Sequence, residues 1–227
     1  MHILKKIQRS LKRRGFWDSI TLIVKRFLIQ LKFRKFDFWG LVETAEMNVP
    51  DEVRIHANKY EASNIDYFKK LFADLDWPYK NSCFIDFGCG KGATLVFATN
   101  LGFKKVIGVE FSPELAHIAL VNMQKYSHQV GGKVNFEIIN IDASQYEIPS
   151  YADCFYFFNP FDAFILEQVL QNIITSLEKY PRKILIVYLN GAHHAVVERY
   201  KYKKIKFIPK EELDIYYNDG AYVYTND

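Results

Sequence analysis

The chain has 227 residues, a length that suits one α/β domain with an appended segment better than two full domains. Hydrophobic residues make up 49% of the sequence and charged residues 25%, a composition that excludes a disordered chain and a collagen-like fibre. The net charge of +4 is unevenly distributed, because residues 1–36 contain eleven Lys and Arg side chains and one acid, Asp18. That segment therefore carries +10, and the other 191 residues carry −6.

The three cysteines, Cys83, Cys89 and Cys154, are too few and too scattered for a disulfide framework, and they form no C-x-x-C pair for zinc. No run of 18 apolar residues is free of charge, and residues 1–15 lack the apolar core of a secretory leader. We therefore expect a protein of the reducing cytoplasm, without a metal site.

Apolar residues recur at helical spacing between Phe16 and Lys35 and predict an amphipathic helix. The residues of this apolar repeat are Ile20, Ile23, Val24, Phe27, Leu28 and Leu31. A shorter helix before it is predicted from the spacing of Leu4, Ile7 and Leu11. After a region of poor periodicity, a further helix is predicted from Asn64 to Leu75.

From residue 82 onward, strand and helix patterns alternate. Strands are predicted at Cys83–Phe87, Lys105–Glu110, Val134–Ile141, Cys154–Phe158, Arg182–Leu189, Lys204–Ile208 and Ile215–Tyr224. Helices are predicted at Ala93–Asn100, Pro113–Tyr126, Ala163–Lys179 and His193–Tyr200, the second of them capped by Ser112. This alternation predicts an α/β fold: a doubly wound, mostly parallel sheet of seven strands, the last one antiparallel, with helices on both faces and an N-terminal helical extension.

A glycine-rich loop, from Asp86 to Gly92, follows the first predicted strand of this sheet. Its spacing satisfies the dinucleotide pattern G-x-G-x-x-G/A, but Asp86 would repel a pyrophosphate and suits a cationic ligand. Glu110 ends the second strand, where a carboxylate can accept both ribose hydroxyls, and Asp142 ends the third, where it can accept from an adenine amino group. Acids at three consecutive strand ends predict a cationic nucleoside.

Four stretches resemble the motifs of the class I S-adenosylmethionine-dependent methyltransferases, in that family's order and spacing. They are FIDFGCGKG (84–92), VIGVEFSPELAHIA (106–119), FEIINIDA (136–143) and CFYFFNPF (154–161). Charge and periodicity predict a basic amphipathic extension (1–40) and a linker with a pre-domain helix (41–80), and the resemblance, which covers roughly residues 60–225, implies a Rossmann-like catalytic domain that binds S-adenosylmethionine (81–227). The cofactor residues that it implies are Asp86, Gly88, Gly90 and Gly92 for the methionine part, with Cys89 as a non-catalytic member of the loop, Glu110 for the ribose, and Phe111, Asp142 and Ala143 for the adenine.

The tripeptide Asn159-Pro160-Phe161 follows the fourth predicted strand and is similar to the N-P-P-Y/F motif of methyltransferases that act on planar amide or amine nitrogens. The similarity implies that the Asn159 side-chain oxygen and a following backbone carbonyl accept the substrate N–H groups, while the aromatic ring stacks on the substrate. The second proline is missing, and the looser arrangement also resembles the non-SET lysine methyltransferases. We therefore predict methyl transfer to an amine or amide nitrogen of a protein side chain or a small molecule.

Methyl transfer to a hydroxyl of a sugar or a lipid-linked substrate is the alternative. It requires a base or a metal to remove the hydroxyl proton, and His193 and His194 are the candidate bases. The segment HANKYEAS (56–63) carries candidate lid residues, first Tyr60 and then His56 and Glu61.

Two other classes stay open at this point. A nicotinamide-dependent oxidoreductase would use the same kind of glycine loop, but Asp86 argues against it. A non-catalytic, membrane-associated cofactor-binding module is the other class, and the intact Asn159-Pro160-Phe161 tripeptide argues against that.

The basic extension has three interpretations. It could bind an anionic membrane, with the apolar repeat inserted and the cations on the headgroups. It could pack the repeat on the catalytic domain, or bind nucleic acid through Phe33-Arg34-Lys35-Phe36. We favour membrane binding, closely followed by packing on the catalytic domain. Membrane binding predicts a cytoplasmic enzyme at the inner face of the membrane.

Overall fold

The computed structural model describes residues 16–43, 47, 54–213 and 217–226. The short helix predicted from Leu4, Ile7 and Leu11 lies outside the described residues, as does the predicted beginning of the last strand at Ile215. Everything below refers to the described part of the chain.

The strands form a single mixed sheet, in the order β3-β2-β1-β4-β5-β7-β6. They are β1 (Cys83–Phe87), β2 (Lys105–Glu110), β3 (Phe136–Asn140), β4 (Cys154–Phe158), β5 (Leu185–Leu189), β6 (Lys203–Ile208) and β7 (Ala221–Thr225). Neighbouring strands from β3 to β5 pair in parallel, and β7 is antiparallel to both β5 and β6. The predicted seven-stranded, doubly wound sheet with an antiparallel last strand is confirmed.

The helices are α1 (Phe16–Lys32), α2 (Ile65–Phe72), α3 (Ala93–Leu101), α4 (Pro113–Gln129), α5 (Ala163–Lys179) and α6 (His194–Arg199). Short 3₁₀ turns lie at Tyr79–Asn81, Ala143–Gln145 and Lys210–Glu212. Ser112 caps α4 as predicted, because its hydroxyl accepts the N–H of Leu115 at 3.4 Å. The predicted helix from Asn64 to Leu75 ends earlier, at Phe72, and Asp74 just beyond it has a left-handed φ of 61°.

The central strands are buried on both faces, as expected for a parallel sheet covered by helices. Alternate residues of a strand enter opposite clusters: Phe84 and Tyr156 lie in one, and Ile85 and Phe155 in the other. This packing fixes the carboxyl ends of β1, β2 and β4 side by side, where the predicted ligand residues are located.

The segment after α1 belongs to the core of the domain. Phe33, Phe36 and Phe38 are buried in the same cluster as Phe84, and the rings of Phe36 and Phe38 are stacked at 5.0 Å. Residues 33–40 are part of the predicted extension (1–40), and the rings of Phe33, Phe36 and Phe38 within it contribute to the hydrophobic core. Because Phe33 and Phe36 are buried, they present no ring faces on which nucleic acid bases could stack.

Six large apolar side chains of α1 face the solvent. Trp17, Ile20, Val24, Phe27, Leu28 and Leu31 are all exposed. Within the described residues, this apolar stripe is therefore not packed on the catalytic domain, which was the second interpretation of the extension. No described helix combines the length and the hydropathy needed to cross a bilayer.

Candidate active site

A cleft opens at the carboxyl ends of β1, β2 and β4, and residues 56–63 form its opposite wall. Its empty volume of about 870 Å³, part of it open to solvent, is large enough for a nucleoside-sized ligand. The sequence-predicted residues that line it are Asp86, Gly88, Cys89, Glu110, Phe111, Asp142, Ala143, Pro160 and Phe161, together with His56, Tyr60 and Glu61. Residues far apart in the sequence thus share one site; their individual roles toward a cofactor remain predictions.

The glycine loop packs closely against two neighbours. A Cβ atom at Gly88 would lie 2.5 Å from Cβ of Pro160, and a Cβ atom at Gly90 would overlap the ring of Tyr60. Both glycines also have left-handed φ angles, 77° and 51°, which side chains disfavour. The loop therefore needs glycine at both positions for conformation and for space.

Asp86 points from the end of β1 into the cleft and is only 2% exposed. Burial raises its pKa to about 7 and the charge of Glu110 adds to the increase, while a hydrogen bond from the Thr94 hydroxyl opposes it. No Lys or Arg of the described residues pairs with this carboxylate. Sequence reasoning missed Thr94, although its position in the first turn after the glycine loop was a usable signal.

Glu110 ends β2 and is held by two backbone donors. Its Oε2 accepts the N–H of Gly90 at 2.8 Å, and its Oε1 accepts the N–H of Ser112 at 3.0 Å. Burial raises its pKa to about 7 in spite of these hydrogen bonds. A carboxylate has about four lone-pair sites, so each oxygen of Glu110 keeps acceptor capacity for a ribose hydroxyl.

The proposed adenine side of the cleft is built at the end of β3. Asp142 caps the following 3₁₀ turn, where its Oδ1 accepts from the N–H and the hydroxyl of Ser144 at 2.8 and 2.6 Å. The side chain of Asn140 donates to the carbonyls of Glu110 and Phe111 at 2.8 and 2.9 Å and so joins the ends of β2 and β3. Asn140 could not be identified from the sequence, because its role depends on two backbone carbonyls at the end of the neighbouring strand.

Tyr60 covers the glycine loop from the opposite wall. Its hydroxyl donates to the carbonyl of Phe38 at 2.7 Å, and its backbone pairs with Val42 in an isolated bridge. Burial raises the pKa of Tyr60 far above the ordinary range of a phenol. The predicted lid residue is thus part of the cleft wall, with its hydroxyl hydrogen-bonded to the segment that precedes it.

Asn159 does not line the cleft. Its Oδ1 accepts from the hydroxyl of Tyr188 at 3.3 Å, and its carbonyl accepts from the side chain of Asn58 at 2.9 Å. The carbonyl of Pro160 accepts the N–H of Asn58 at 3.0 Å. One acceptor position of each of these oxygens is therefore used within the protein, and the role of Asn159 toward a substrate N–H stays a prediction. Pro160 and Phe161 do line the cleft.

A histidine–aspartate pair lies at the same end of the cleft. His56 lines the cleft, and its Nδ1 is 2.7 Å from Oδ2 of Asp162, which also caps α5. The ring of His56 packs against that of Phe164 with the centroids 5.3 Å apart. Burial opposes ionisation of Asp162, but hydrogen bonds from His56 and from two backbone N–H groups outweigh it and hold the pKa of Asp162 below its ordinary value.

Neither of the bases named from the sequence lies in the cleft. His193 precedes α6, and His194 stacks on Tyr222 with the ring centroids 4.3 Å apart. Both follow β5 in the chain, and neither is among the residues that line the cleft. Among the described residues, no three His, Cys, Asp or Glu side chains converge as metal ligands.

The fold and the cleft are those of a class I, Rossmann-like methyltransferase. The sequence matches the family described as methyltransferase domain over residues 56–214, and the chain belongs to this family. No curated protein matches the sequence. The family membership sets aside the oxidoreductase alternative, and the protein is an S-adenosylmethionine-dependent methyltransferase.

Solved structures share this fold at low sequence identity. Residues 961–1257 of the StiE O-MT are 13% identical, with a TM-score of 0.50 over 70% of this chain and 71% of that chain. An RNA methyltransferase from Salinibacter ruber, in complex with S-adenosyl-L-homocysteine, is 18% identical with a TM-score of 0.46 over 78% and 92%. A TehB-like methyltransferase from Corynebacterium glutamicum is 15% identical with a TM-score of 0.46 over 70% and 94%. At such identities the likeness concerns the fold alone.

The residues of the cleft fit the cofactor. Burial disfavours ionisation of both Asp86 and Glu110, the charge of Glu110 adds to this cost for Asp86, and neither carboxylate has a cationic partner among the described residues. S-adenosylmethionine carries an ammonium and a sulfonium group, which would offset this cost for Asp86. Its ribose hydroxyls would donate to Glu110.

Proposed function

We propose that this protein methylates a hydroxyl group of its acceptor and that His56 takes up the hydroxyl proton. The observation that carries the proposal is the pair of His56 and Asp162 on the wall of the cofactor cleft. When bound, S-adenosylmethionine supplies an electrophilic methyl group. The protein has to align the acceptor with it and provide a base for the proton.

The pair defines which nitrogen of His56 acts as the base. Asp162 is ionised at neutral pH because its pKa is held low, and an ionised carboxylate only accepts hydrogen bonds. Nδ1 of His56 therefore carries the hydrogen in the 2.7 Å contact, which leaves Nε2 of the neutral ring as a proton acceptor. The contact with Phe164 and the hydrogen bond from the N–H of Asp162 to the carbonyl of His56, at 3.0 Å, hold the ring in place.

A nitrogen acceptor is the second candidate. Pro160 and Phe161 line the cleft as the similarity to the N-P-P-Y/F motif requires, which supports an aromatic platform for a planar substrate. Asn159 is not among the residues that line the cleft, which argues against the rest of that arrangement, whereas a base paired with a carboxylate is what a hydroxyl needs. For this reason we rank a hydroxyl of a sugar, a lipid-linked intermediate or another small molecule first.

The direct test is the identity of the methylated atom. The full chain is incubated with S-adenosylmethionine labelled in its methyl group and with fractionated extract, and the labelled product is examined by tandem mass spectrometry. A methyl ether is the expected product. A methylated amine or amide would overturn the hydroxyl assignment while leaving methyl transfer intact, and binding of NAD in preference to S-adenosylhomocysteine would overturn both.

A further inference from the structure

We propose that α1 is a docking surface for an anionic lipid membrane, an inference that does not depend on the identity of the methyl acceptor. The apolar stripe is made of Trp17, Ile20, Val24, Phe27, Leu28 and Leu31, whose exposed fractions run from 38% to 77%. At 3.6 residues per turn, these six positions fall within an arc of about 100°. One continuous apolar face thus points away from the domain.

The opposite side of the same helix attaches it to the domain. Ile29 packs against the main core, and Phe33 at the end of the helix is 5% exposed. The N–H of Phe33 donates to the carbonyl of Ile29 at 3.1 Å, which continues the helical turn into the buried segment. Because α1 is anchored through this side, the apolar stripe does not serve to hold the helix on the protein.

Charge complementarity identifies the surface that the stripe would meet. Residues 1–36 carry a net charge of +10, and Lys32, Arg34 and Lys35 at the anchored end are exposed. An amphipathic helix with an apolar face, flanked by a segment rich in cations, is typical of helices that lie in the headgroup region of anionic bilayers. The apolar face enters the acyl boundary while the cations remain on the headgroups.

Two other occupants fit the observations less well. A second copy of the chain would bring two segments of +10 together, and their repulsion opposes a symmetric dimer through this face. Nucleic acid would use the cations but has no use for a stripe of six large apolar side chains, and the rings of Phe33 and Phe36 are buried. An anionic lipid surface uses both the charge and the stripe.

The test is cosedimentation of the full chain with vesicles of phosphatidylcholine, with and without phosphatidylserine. Wild-type protein should pellet with the phosphatidylserine vesicles, and much less with phosphatidylcholine alone or in high salt. The double variant Phe27→Ser/Leu31→Ser removes apolar area without changing charge and should weaken this binding by at least about tenfold.

Val130→Ser, at a comparably exposed apolar side chain outside α1, is the matched control and should bind vesicles like the wild type. Unchanged binding of Phe27→Ser/Leu31→Ser would overturn the proposal, as would equal binding to the neutral vesicles. The wild type could also prove to be a dimer that does not bind vesicles and that becomes monomeric in Phe27→Ser/Leu31→Ser. That result would identify a second copy of the chain as the occupant of the apolar stripe and would overturn the membrane proposal. Methyl transfer to a soluble acceptor should be the same in all these variants, which separates this test from that of the proposed function.

Discussion

The ring of Tyr60 occupies the space that a side chain at Gly90 would need, so the wall formed by residues 56–63 and the glycine loop are fitted to each other. Gly90 also donates its N–H to Glu110 at 2.8 Å. One loop residue therefore links the proposed ribose-binding carboxylate to the cleft wall.

The variant Gly90→Ala tests this fit. It should lower the free energy of unfolding by about 1 to 3 kcal/mol. The added methyl group collides with the ring of Tyr60, and the alanine is held in a left-handed backbone conformation that side chains disfavour. Calorimetry should also show at least about tenfold weaker binding of S-adenosylhomocysteine, since Glu110 would lose its position. Gly131→Ala is the control, because Gly131 also has a left-handed φ, 65°, but a Cβ atom added there would meet open space. We expect backbone strain in this variant and no loss of cofactor affinity. Equal effects of both variants on cofactor affinity would contradict the account.

The pH dependence of cofactor binding follows from the raised pKa values. In the free protein, Asp86 and Glu110 have pKa values of about 7, and a cationic ligand binds their ionised forms better. The affinity for S-adenosylmethionine should therefore fall as the pH is lowered from about 7 to about 6, by at least about fivefold. Titrations with 5′-methylthioadenosine, which carries neither cationic group, should show a smaller change; an affinity that increases as the pH falls would be inconsistent with these pKa values.

The raised pKa of Asp86 also predicts how the stability of the cofactor-free protein depends on pH. Asp86 binds its proton more tightly in the folded than in the unfolded protein, so protonation of Asp86 stabilises the fold. This contribution to the free energy of unfolding is fully present below the ordinary pKa of 3.8 and is lost as the pH rises through about 7. The variant Asp86→Asn stays neutral, so its free energy of unfolding should increase relative to the wild type over this pH range, while cofactor binding is lost. Denaturant unfolding at several pH values measures this difference. Glu178→Gln, at an exposed carboxyl of α5, is the control, and its stability relative to the wild type should not increase over this pH range. A wild-type protein that gains stability relative to Asp86→Asn as the pH rises would contradict the raised pKa of Asp86.

A buried amide holds the segment after α1. Asn122 is fully buried; its Nδ2 donates to the carbonyls of Asp37 and Lys91 at 3.1 and 3.0 Å, and its Oδ1 accepts the N–H of Asp37 at 3.1 Å. Asn122→Ala leaves these groups without partners and should cost about 2 to 4 kcal/mol in a denaturant titration. Cofactor affinity should fall as well, because the neighbouring carbonyl of Phe38 receives the hydroxyl of Tyr60. Asn172→Ala, at a partly buried amide on α5, should cost less and leave the cofactor affinity unchanged.

The charge of Asp162 can be removed while its structural role is kept. Its Oδ1 caps α5 by accepting from the N–H groups of Phe164 and Ile165 at 3.0 and 3.1 Å, and asparagine caps helices equally well. Asp162→Asn should therefore leave the melting temperature almost unchanged but lower turnover by about 10² to 10⁴, because the favoured tautomer of His56 is lost. Full activity in this variant would show that the carboxylate does not orient His56.

The strand ends could be predicted from the sequence because their pattern is local. Asp86, Glu110 and Asp142 each follow a short apolar run, and the parallel order of the strands brings them to one edge of the sheet. The pair of His56 and Asp162 spans 106 residues and depends on how residues 56–63 cross the cleft, which no local pattern encodes. The burial of Phe33, Phe36 and Phe38 in the core could not be predicted for the same reason, since periodicity shows that a segment is apolar but not which surface buries it.

Asn159 illustrates a different limit of sequence similarity. The tripeptide predicts a substrate acceptor, and the structure adds that its side-chain oxygen accepts from Tyr188 and its carbonyl from Asn58. Sequence similarity shows that a residue occupies the position of a motif in the chain. The hydrogen bonds that its side chain and backbone make within the protein depend on residues from distant segments.

The most direct test of the central claim is the rate of methyl transfer by the wild type and by His56→Asn, once a labelled acceptor fraction is in hand. We expect His56→Asn to retain cofactor affinity and melting temperature but to lose about 10² to 10⁴ in turnover, because the acceptor proton then has no base to receive it. A His56→Asn enzyme with wild-type turnover would contradict the proposal that this histidine removes the proton of the acceptor.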